Sequence, residues 1–226
     1  MNRIYVPSTG AESWKPFLPE PERQWKTGYS ARTLAHSWEA ADGLPPEIAE
    51  RFAATPGFKA VPELLIAIPE HKVPLPGGTT ESQNDVFALL RCGDRTIAMA
   101  VEGKVAEPFG QTVGDWRRGA SEGKQARLRY LCGALGIDYP PPDHLFYQLF
   151  HRAGSAIIEA GRFKTDAAVM IVHSFSPHRH WFEEYAAFVS LLGGAVSEDA
   201  LSQILLPSGM PFYTGWVCGD AQFLER

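Results

Sequence analysis

The 226-residue sequence has few cysteines, and they are not spaced as metal ligands usually are. Cys92, Cys132 and Cys218 are scattered and odd in number, so we expect reduced thiols rather than a disulfide framework. No apolar run approaches the length of a transmembrane helix, and the first thirty residues lack the apolar segment of a signal peptide. The sequence therefore predicts a cytoplasmic protein with no membrane partner.

Common catalytic motifs and a basic charge are also lacking. The chain contains no Gly-x4-Gly-Lys-Ser/Thr loop, no Gly-x-Ser-x-Gly turn and no His-Glu-x-x-His pair. Its net charge is −5 at pH 7, whereas nonspecific nucleic-acid binders are usually basic. Any contact with nucleic acid would depend on a local excess of positive charge between residues 104 and 130. The basic residues of this segment are Lys104, Arg117, Arg118, Lys124, Arg127 and Arg129.

A β-hairpin over residues 85–105 is the most informative feature that the sequence does contain. Two apolar, strand-forming runs flank Gly93-Asp94, and a Gly-Asp pair is a preferred two-residue hairpin turn. With this turn, Cys92 pairs with Arg95, and the register of every later pair follows.

That register predicts which side chains share a face of the hairpin. Asp85 lies directly opposite Glu102, and Lys104 lies on the same face because strand side chains alternate. Ala98 and Ala100 on this face leave room for a helix or a substrate. The other face is predicted to be core and carries Val86, Ala88, Leu90, Ile97, Met99, Val101 and Val105.

Two opposed carboxylates on a sheet repel each other unless one is protonated or a cation lies between them. A divalent metal held by Asp85 and Glu102 would polarise a phosphodiester and acidify a bound water. Lys104 can neutralise developing charge or orient that water. We therefore expect an amide at either acid to leave folding intact, or to raise metal-free stability; the alternative is an edge hairpin with solvated charged ends.

The rest of the chain predicts a single mixed α/β domain. Length favours a short helix over residues 61–69 that carries Glu63, followed by an edge strand over residues 72–76. A continuous apolar run from Ala167 to Phe175 predicts a buried central strand, and intervening helices imply a crossover. The predicted parts are an N-terminal arm (1–30), a helical lead-in (31–59), a core (60–175) and a C-terminal helix with an extension (176–226).

A long helix is predicted from Asp143 to about Gly161, with one apolar and one polar stripe. Its polar stripe comprises Gln148, Arg152, Ser155 and Glu159. Another helix is expected from about His178 to Leu192.

The hairpin resembles the core of the PD-(D/E)XK, or restriction-endonuclease-like, nuclease superfamily. In that pattern an acidic residue opens the second strand and a Glu/Asp-x-Lys triplet lies on the third. Asp85 matches the acid and Glu102-Gly103-Lys104 matches the triplet. The match covers about residues 60–175, and the single-domain chain resembles a bacterial branch of the superfamily.

The resemblance implies a Mg²⁺ or Mn²⁺ site and nucleic-acid phosphodiester hydrolysis. Asp85, Glu102 and the backbone carbonyl of Gly103 would hold the metal. Lys104 would lie beside the attacking water. Glu63 matches the helix acid of the superfamily and would support a second ion or act through a water.

The expected partner is a nucleic acid, with DNA ahead of RNA. Gln148 and Arg152 lie one turn apart on a helix packed near the sheet, where Arg152 can contact a phosphate. Arg127, from the basic segment, is a third candidate nucleic-acid-binding residue. A homodimer is left open.

Two alternatives remain at this point. His173, His178 and His180 follow a buried strand, and three converging histidines can bind Zn²⁺. A nuclease fold can also bind nucleic acid or protein without cutting it, through an aromatic interface comprising Tyr213, Trp181, Phe182 and Trp216.

Overall fold

A six-stranded mixed sheet runs through the protein and carries helices on both faces. The computed structural model describes residues 4–5, 8–58 and 60–226. The strand order is β1-β2-β3-β4-β6-β5, with bounds β1 Glu63–Val73, β2 Ser82–Cys92, β3 Arg95–Lys104, β4 Ala167–Ser174, β5 Ser202–Leu205 and β6 Pro211–Cys218. The predicted mixed α/β class is confirmed.

The helices connect these strands and cover the sheet. Their bounds are α1 Pro21–Gln24, α2 Ser30–Ala40, α3 Pro46–Ala54, α4 Val113–Arg117, α5 Glu122–Leu135, α6 Tyr147–Phe163 and α7 Phe182–Leu191. Two 3₁₀ helices, Ala11–Phe17 and Ala221–Glu225, lie near the ends of the chain. None of the helices in the described part of the chain is long and apolar enough to cross a bilayer.

The predicted hairpin is confirmed. Cys92 pairs with Arg95, and the antiparallel β2–β3 ladder continues without a shift to Val86 and Val101. Gly93 has a φ of 64°, the left-handed conformation that the turn requires and that glycine adopts without strain. Local turn chemistry therefore sets the register of the hairpin.

Small residues on β3 allow a helix to approach the sheet closely. Ala98 and Ala100 are fully buried under the helical layer that contains α6, as their size predicted. Gly154 of α6 lets α5 pack against it, since a Cβ there would lie 2.3 Å from Leu131 Cδ2. The opposite side of β3, which includes Met99, packs into the second core.

The predicted helix over residues 61–69 is wrong. Residues 63–69 belong to β1, an 11-residue edge strand that pairs antiparallel with β2, and residues 61–62 precede it. A short apolar run fits a strand and a buried helix equally well, and pairing with β2 decides between them. Pro69 is tolerated because an edge strand has one unpaired side.

The two helices flanking β4 start later than predicted. The long helix begins at Tyr147 rather than Asp143, whose carboxylate instead accepts a hydrogen bond from Arg117. Helix α7, predicted to start near His178, begins at Phe182, so His178 and His180 lie in the turn before it.

The sheet also continues beyond the predicted core boundary at residue 175. The C-terminal aromatic segment forms β6, which lies between β4 and β5 and pairs parallel with β4. Tyr213 and Trp216 are buried in the two cores, at 2% and 3% exposure, so they do not present an aromatic binding surface.

Candidate functional site

Three carboxylates lie on three neighbouring strands at the end of the hairpin. The β1–β2 pairing continues on both sides of Glu70, which places this residue opposite Asp85. Glu102 follows the last pair of the β2–β3 ladder and comes next to Asp85 on the other side. All three line a cavity of about 420 Å³, which we call the acidic cavity.

Asp85 does not continue the ladder but binds the next strand through its side chain. Its Oδ2 accepts a hydrogen bond of 2.7 Å from the backbone N–H of Gly103. The described pairing stops at Val86 and Val101, so the predicted direct pairing of Asp85 with Glu102 is replaced by this side-chain contact. Asp85 therefore contacts β3 through its carboxylate at the wall of the acidic cavity.

Glycine suits the crowded middle position of the Glu102-Gly103-Lys104 triplet. A Cβ on Gly103 would lie 3.1 Å from Leu34 Cδ2 and 3.3 Å from Asp85 Oδ2. Both contacts are tighter than ordinary van der Waals packing, so the Leu34 side chain and the Asp85 carboxylate would have to shift by a few tenths of an ångström.

Glu102 is held by three side chains. Its Oε1 accepts hydrogen bonds from Lys104 Nζ at 2.6 Å and from Gln148 Nε2 at 2.8 Å. Its Oε2 accepts one from Arg152 Nε at 2.5 Å. Burial acts to raise the pKa of Glu102, but the charges of Arg152 and Lys104 outweigh it and lower the pKa to about 2. Glu102 is therefore ionised at neutral pH.

Asp85 and Glu70 titrate in the opposite direction. Burial and the negative charge of Glu102 raise the pKa of Asp85 to about 7, because Arg152 approaches its Oδ1 only to 3.8 Å. Burial and the charge of Asp85 raise the pKa of Glu70 well above its usual value. A pKa of about 7 leaves Asp85 about half protonated at pH 7, and Glu70 binds its proton more tightly than an exposed glutamate does.

The backbone of Glu70 is strained. Its φ is 51°, a left-handed conformation that non-glycine residues adopt only where their surroundings enforce it. Its Oε2 accepts a hydrogen bond of 2.7 Å from Gln83 Nε2. Strain of this kind is common where a side chain must point at a functional site.

The structure brings together most of the predicted site residues. Asp85, Glu102, Lys104, Gln148 and Arg152 all line the acidic cavity. The polar stripe of α6 was predicted correctly, and its contact with the β3 triplet is what assembles the site.

Two predicted residues do not join them. Glu63 is exposed and pairs with Arg91 at the opposite end of β1, so its assignment as the helix acid is wrong. Arg127 is buried and donates hydrogen bonds to the backbone carbonyls of Pro76 and Leu75, outside this cavity.

Sequence reasoning missed Glu70 and Gln83. The signal was present: a strand over residues 63–73 paired with β2 brings Glu70 opposite Asp85. Its left-handed backbone, however, has no signature in the sequence.

The carboxylate oxygens of the acidic cavity are ligands of the kind that bind divalent cations. Among the described residues, Asp85 Oδ1 and Glu70 Oε1 accept no hydrogen bond and Glu102 Oε2 accepts one, although Asp85 Oδ1 lies 3.8 Å from Arg152 Nη2. Burial and, after it, repulsion between the carboxylates raise the pKa values of Asp85 and Glu70, and a cation would relieve the repulsion. Residues 4–5, 8–58 and 60–226 nevertheless contain no group of three or more His, Cys, Asp or Glu side chains already arranged around one metal position. A metal role for the Gly103 carbonyl stays a prediction.

The three histidines of the predicted zinc cluster do not converge on one position. His173 is fully buried, and its Nε2 lies 2.8 Å from Glu47 Oε1. The rings of His178 and His180 are 5.7 Å apart in the turn before α7, with both residues exposed. We therefore do not retain the zinc hypothesis.

Residues 7–221 match a family described as Domain of unknown function (DUF6946). The chain belongs to this family. No curated protein and no solved structure matches the chain. The geometry of the acidic cavity is therefore the basis for proposing a function for this DUF6946 member.

Proposed function

We propose that this protein is a metal-dependent hydrolase that cleaves a phosphodiester bond in a nucleic acid. One observation carries the proposal: Asp85, Glu102 and Lys104, as predicted from the hairpin, line one cavity together with Glu70. The resemblance to PD-(D/E)XK nucleases, Mg²⁺ or Mn²⁺ as cofactor, and DNA ahead of RNA as substrate are parts of this proposal.

Asp85 and Glu70 would hold the cation, and Glu102 would complete the site. When bound, the cation would supply Lewis-acid polarisation of a phosphoryl oxygen and a more acidic water. Binding requires Asp85 and Glu70 to release their protons, which links cation affinity to pH.

Lys104 and Arg152, the two cations that contact Glu102, would have different roles in the acidic cavity. Arg152 is buried, and it donates hydrogen bonds to Glu102 and to Ser82, so it keeps Glu102 ionised and in place. Lys104 Nζ contacts only Glu102 Oε1, at 2.6 Å, and Gln148 Oε1, at 3.2 Å, by hydrogen bonding in the described structure. Lys104 can therefore turn a donor toward a phosphoryl oxygen or an attacking water.

Ionisation of Asp85 and Glu70 would favour binding of a cation before a polyanion. With both groups ionised, five of the residues that line the cavity are acidic and three are basic. This negative excess would repel a phosphodiester until a divalent ion offsets it. Arg23 of α1, one of the three basic residues, forms an ion pair with Glu20.

The test is cleavage of labelled single- and double-stranded DNA and RNA with Mg²⁺ or Mn²⁺, and with a chelator. We expect metal-dependent products with the wild type and at least a hundredfold loss of rate, roughly, in Asp85→Asn and Lys104→Met. Glu63→Gln removes an acid from the same sheet outside the cavity and should cleave normally. Products that persist unchanged in Asp85→Asn would contradict the proposal.

A non-catalytic nucleic-acid-binding module is the second candidate. The observation that favours it is the internal pairing of Glu102, whose two oxygens already accept three hydrogen bonds. Nucleic acid that binds in the presence of metal without being cleaved, and no longer binds in Asp85→Asn, would support this candidate instead.

A further inference from the structure

A second cavity lies next to the acidic cavity and is connected to it through Arg152. Arg152 Nη1, from the acidic cavity, donates a hydrogen bond of 3.1 Å to Ser82 Oγ, which lines the second cavity. The second cavity has a volume of about 390 Å³. We call it the glycine-loop cavity, and its main walls are Gly77, Gly78, Trp116, Lys124, Arg127 and Tyr147.

The loop after β1 can lie against α5 only because it contains glycine. Gly77 has a φ of 83°, and a Cβ there would lie 2.3 Å from the carbonyl oxygen of Gly123 and 2.6 Å from Arg127 N. A Cβ on Gly78 would lie 3.0 Å from Arg127 Nη2. The loop is thus fitted to the first turns of α5 and to the Arg127 guanidinium.

Arg127 is a buried cation without an anionic partner. It is 7% exposed, and it donates hydrogen bonds to the carbonyl oxygens of Pro76 at 3.2 Å and Leu75 at 3.4 Å. In the part of the chain that the structure describes, it forms no ion pair with a carboxylate. Burying an uncompensated charge is costly, so an anion in this cavity would be stabilised.

Tyr147 supplies a hydrogen-bond donor that is also unused. Its hydroxyl is buried beside Arg127 but makes no hydrogen bond of acceptable geometry, and the residue is 9% exposed. Burial raises the pKa of Tyr147, so the hydroxyl keeps its proton. Tyr147 stacks on Trp116 at 3.9 Å, and Lys124 Nζ lies 5.2 Å from the Trp116 ring centre. The cavity thus offers hydrogen-bond donors, whereas the aromatic rings of Tyr147 and Trp116 stack on each other rather than on a nucleotide base.

The charge of this cavity is opposite in sign to that of its neighbour. Lys124 and Arg127 are basic and Glu81 is acidic, whereas burial and the charge of Arg152 lower the pKa of His151 and keep it neutral. The cavity also lies at the N-terminal end of the 14-residue helix α5, where the helix dipole favours anions.

We propose that the glycine-loop cavity binds a phosphate group. Arg127 and Lys124 supply the charge, and the Tyr147 hydroxyl donates a hydrogen bond. The phosphate belongs either to a nucleotide strand or to a small phosphate anion, which share this chemistry. The site does not depend on hydrolysis in the acidic cavity.

The first experiment is a calorimetric titration with inorganic phosphate at constant ionic strength. Wild type should bind saturably, and Tyr147→Phe and Lys124→Ala should each bind about tenfold more weakly. Arg129→Ala is the matched control, since it removes a cation from the exposed side of the same helix. Its affinity should match that of the wild type. Tyr147→Phe removes a hydroxyl that donates no hydrogen bond among the described residues, so its melting temperature should change little.

Absence of saturable phosphate binding by the wild type would overturn the proposal, as would equal affinities in wild type and both cavity variants. Asp85→Asn, which removes a proposed cation ligand from the acidic cavity without an expected loss of stability, should leave phosphate affinity unchanged. That result would separate the phosphate site from the proposed hydrolase.

A second titration with a dinucleotide, with and without a 5′-phosphate, identifies the source of the phosphate. If the 5′-phosphorylated dinucleotide binds more tightly than inorganic phosphate, and this binding requires both the 5′-phosphate and Tyr147, the site is assigned to a nucleotide strand. Affinity equal to that of inorganic phosphate would assign it to a small anion. Equal affinities for the dinucleotide with and without its 5′-phosphate, unchanged in Tyr147→Phe, would contradict the proposal.

Discussion

Asp85 and Glu102 are neighbours at the open end of one β-hairpin, yet their carboxyl groups titrate in opposite directions. The pKa of Asp85 is raised to about 7 and that of Glu102 is lowered to about 2. The difference arises because Arg152 and Lys104 both donate hydrogen bonds to Glu102, whereas the Asp85 side chain accepts one from a neutral backbone N–H. Adjacent carboxyl groups whose pKa values are pushed apart are a common arrangement in active sites.

Replacing Asp85 with Asn should stabilise the metal-free protein above neutral pH. The folded-state pKa of Asp85 lies above its unfolded value, so the stability of the wild type falls as the pH rises from about 4 to about 7. Asp85→Asn should lack this loss and be more stable at pH 8 by on the order of 2 kcal/mol. Urea unfolding as a function of pH measures the difference. A variant less stable than wild type at every pH would contradict the carboxylate repulsion.

Replacing Glu102 with Gln should have the opposite effect, contrary to the expectation from the sequence that both acids behave alike. Removing this charge leaves Arg152 and Lys104 buried without their anion. We expect a loss of about 3–5 kcal/mol in the free energy of unfolding. The exposed Glu50→Gln is the control and should unfold like the wild type, since the Glu50 side chain forms no hydrogen bond or ion pair among the described residues. An unchanged midpoint in Glu102→Gln would mean that the ion pairs contribute no net stability.

Cation binding should strengthen with pH. Asp85 must lose its proton before it can bind a metal, and its pKa is about 7. A calorimetric Mn²⁺ titration should therefore give an affinity about tenfold higher at about pH 8 than at about pH 6. Asp85→Asn should remove most of this dependence. An affinity that is the same at both pH values in the wild type would show that the cation binds elsewhere.

Gly103→Ala should damage both stability and the acidic cavity. The new methyl group would press on Leu34 Cδ2 at 3.1 Å and Asp85 Oδ2 at 3.3 Å. Overpacking of this kind costs about 1–3 kcal/mol. Gly133→Ala on α5 is the matched control, because a Cβ there meets nothing within 4 Å, and it should raise stability by about 0.5–1 kcal/mol. Thermal unfolding and Mn²⁺ titration of both variants test this. Equal behaviour of the two alanines would show that the Gly103 contact is not restrictive.

The sequence alone determined the features that arise from short-range interactions. The Gly93-Asp94 turn sets the register from Cys92 and Arg95 to Val86 and Val101, because a two-residue turn permits only one pairing of its flanking strands. The polar stripe of α6 and the buried strand β4 follow from residue periodicity in the same way.

Tertiary structure alone decided which distant residues complete the site. Glu70 reaches Asp85 only when β1 pairs with β2, and its left-handed backbone is imposed by its surroundings. The same pairing removes Glu63 from the site. Arg152 lies fifty residues from Glu102 in the chain, and packing of α6 over Ala98 and Ala100 brings the two together. Their opposite charges then lower the pKa of Glu102 and, because Arg152 is engaged there, leave Asp85 able to hold a proton near neutral pH.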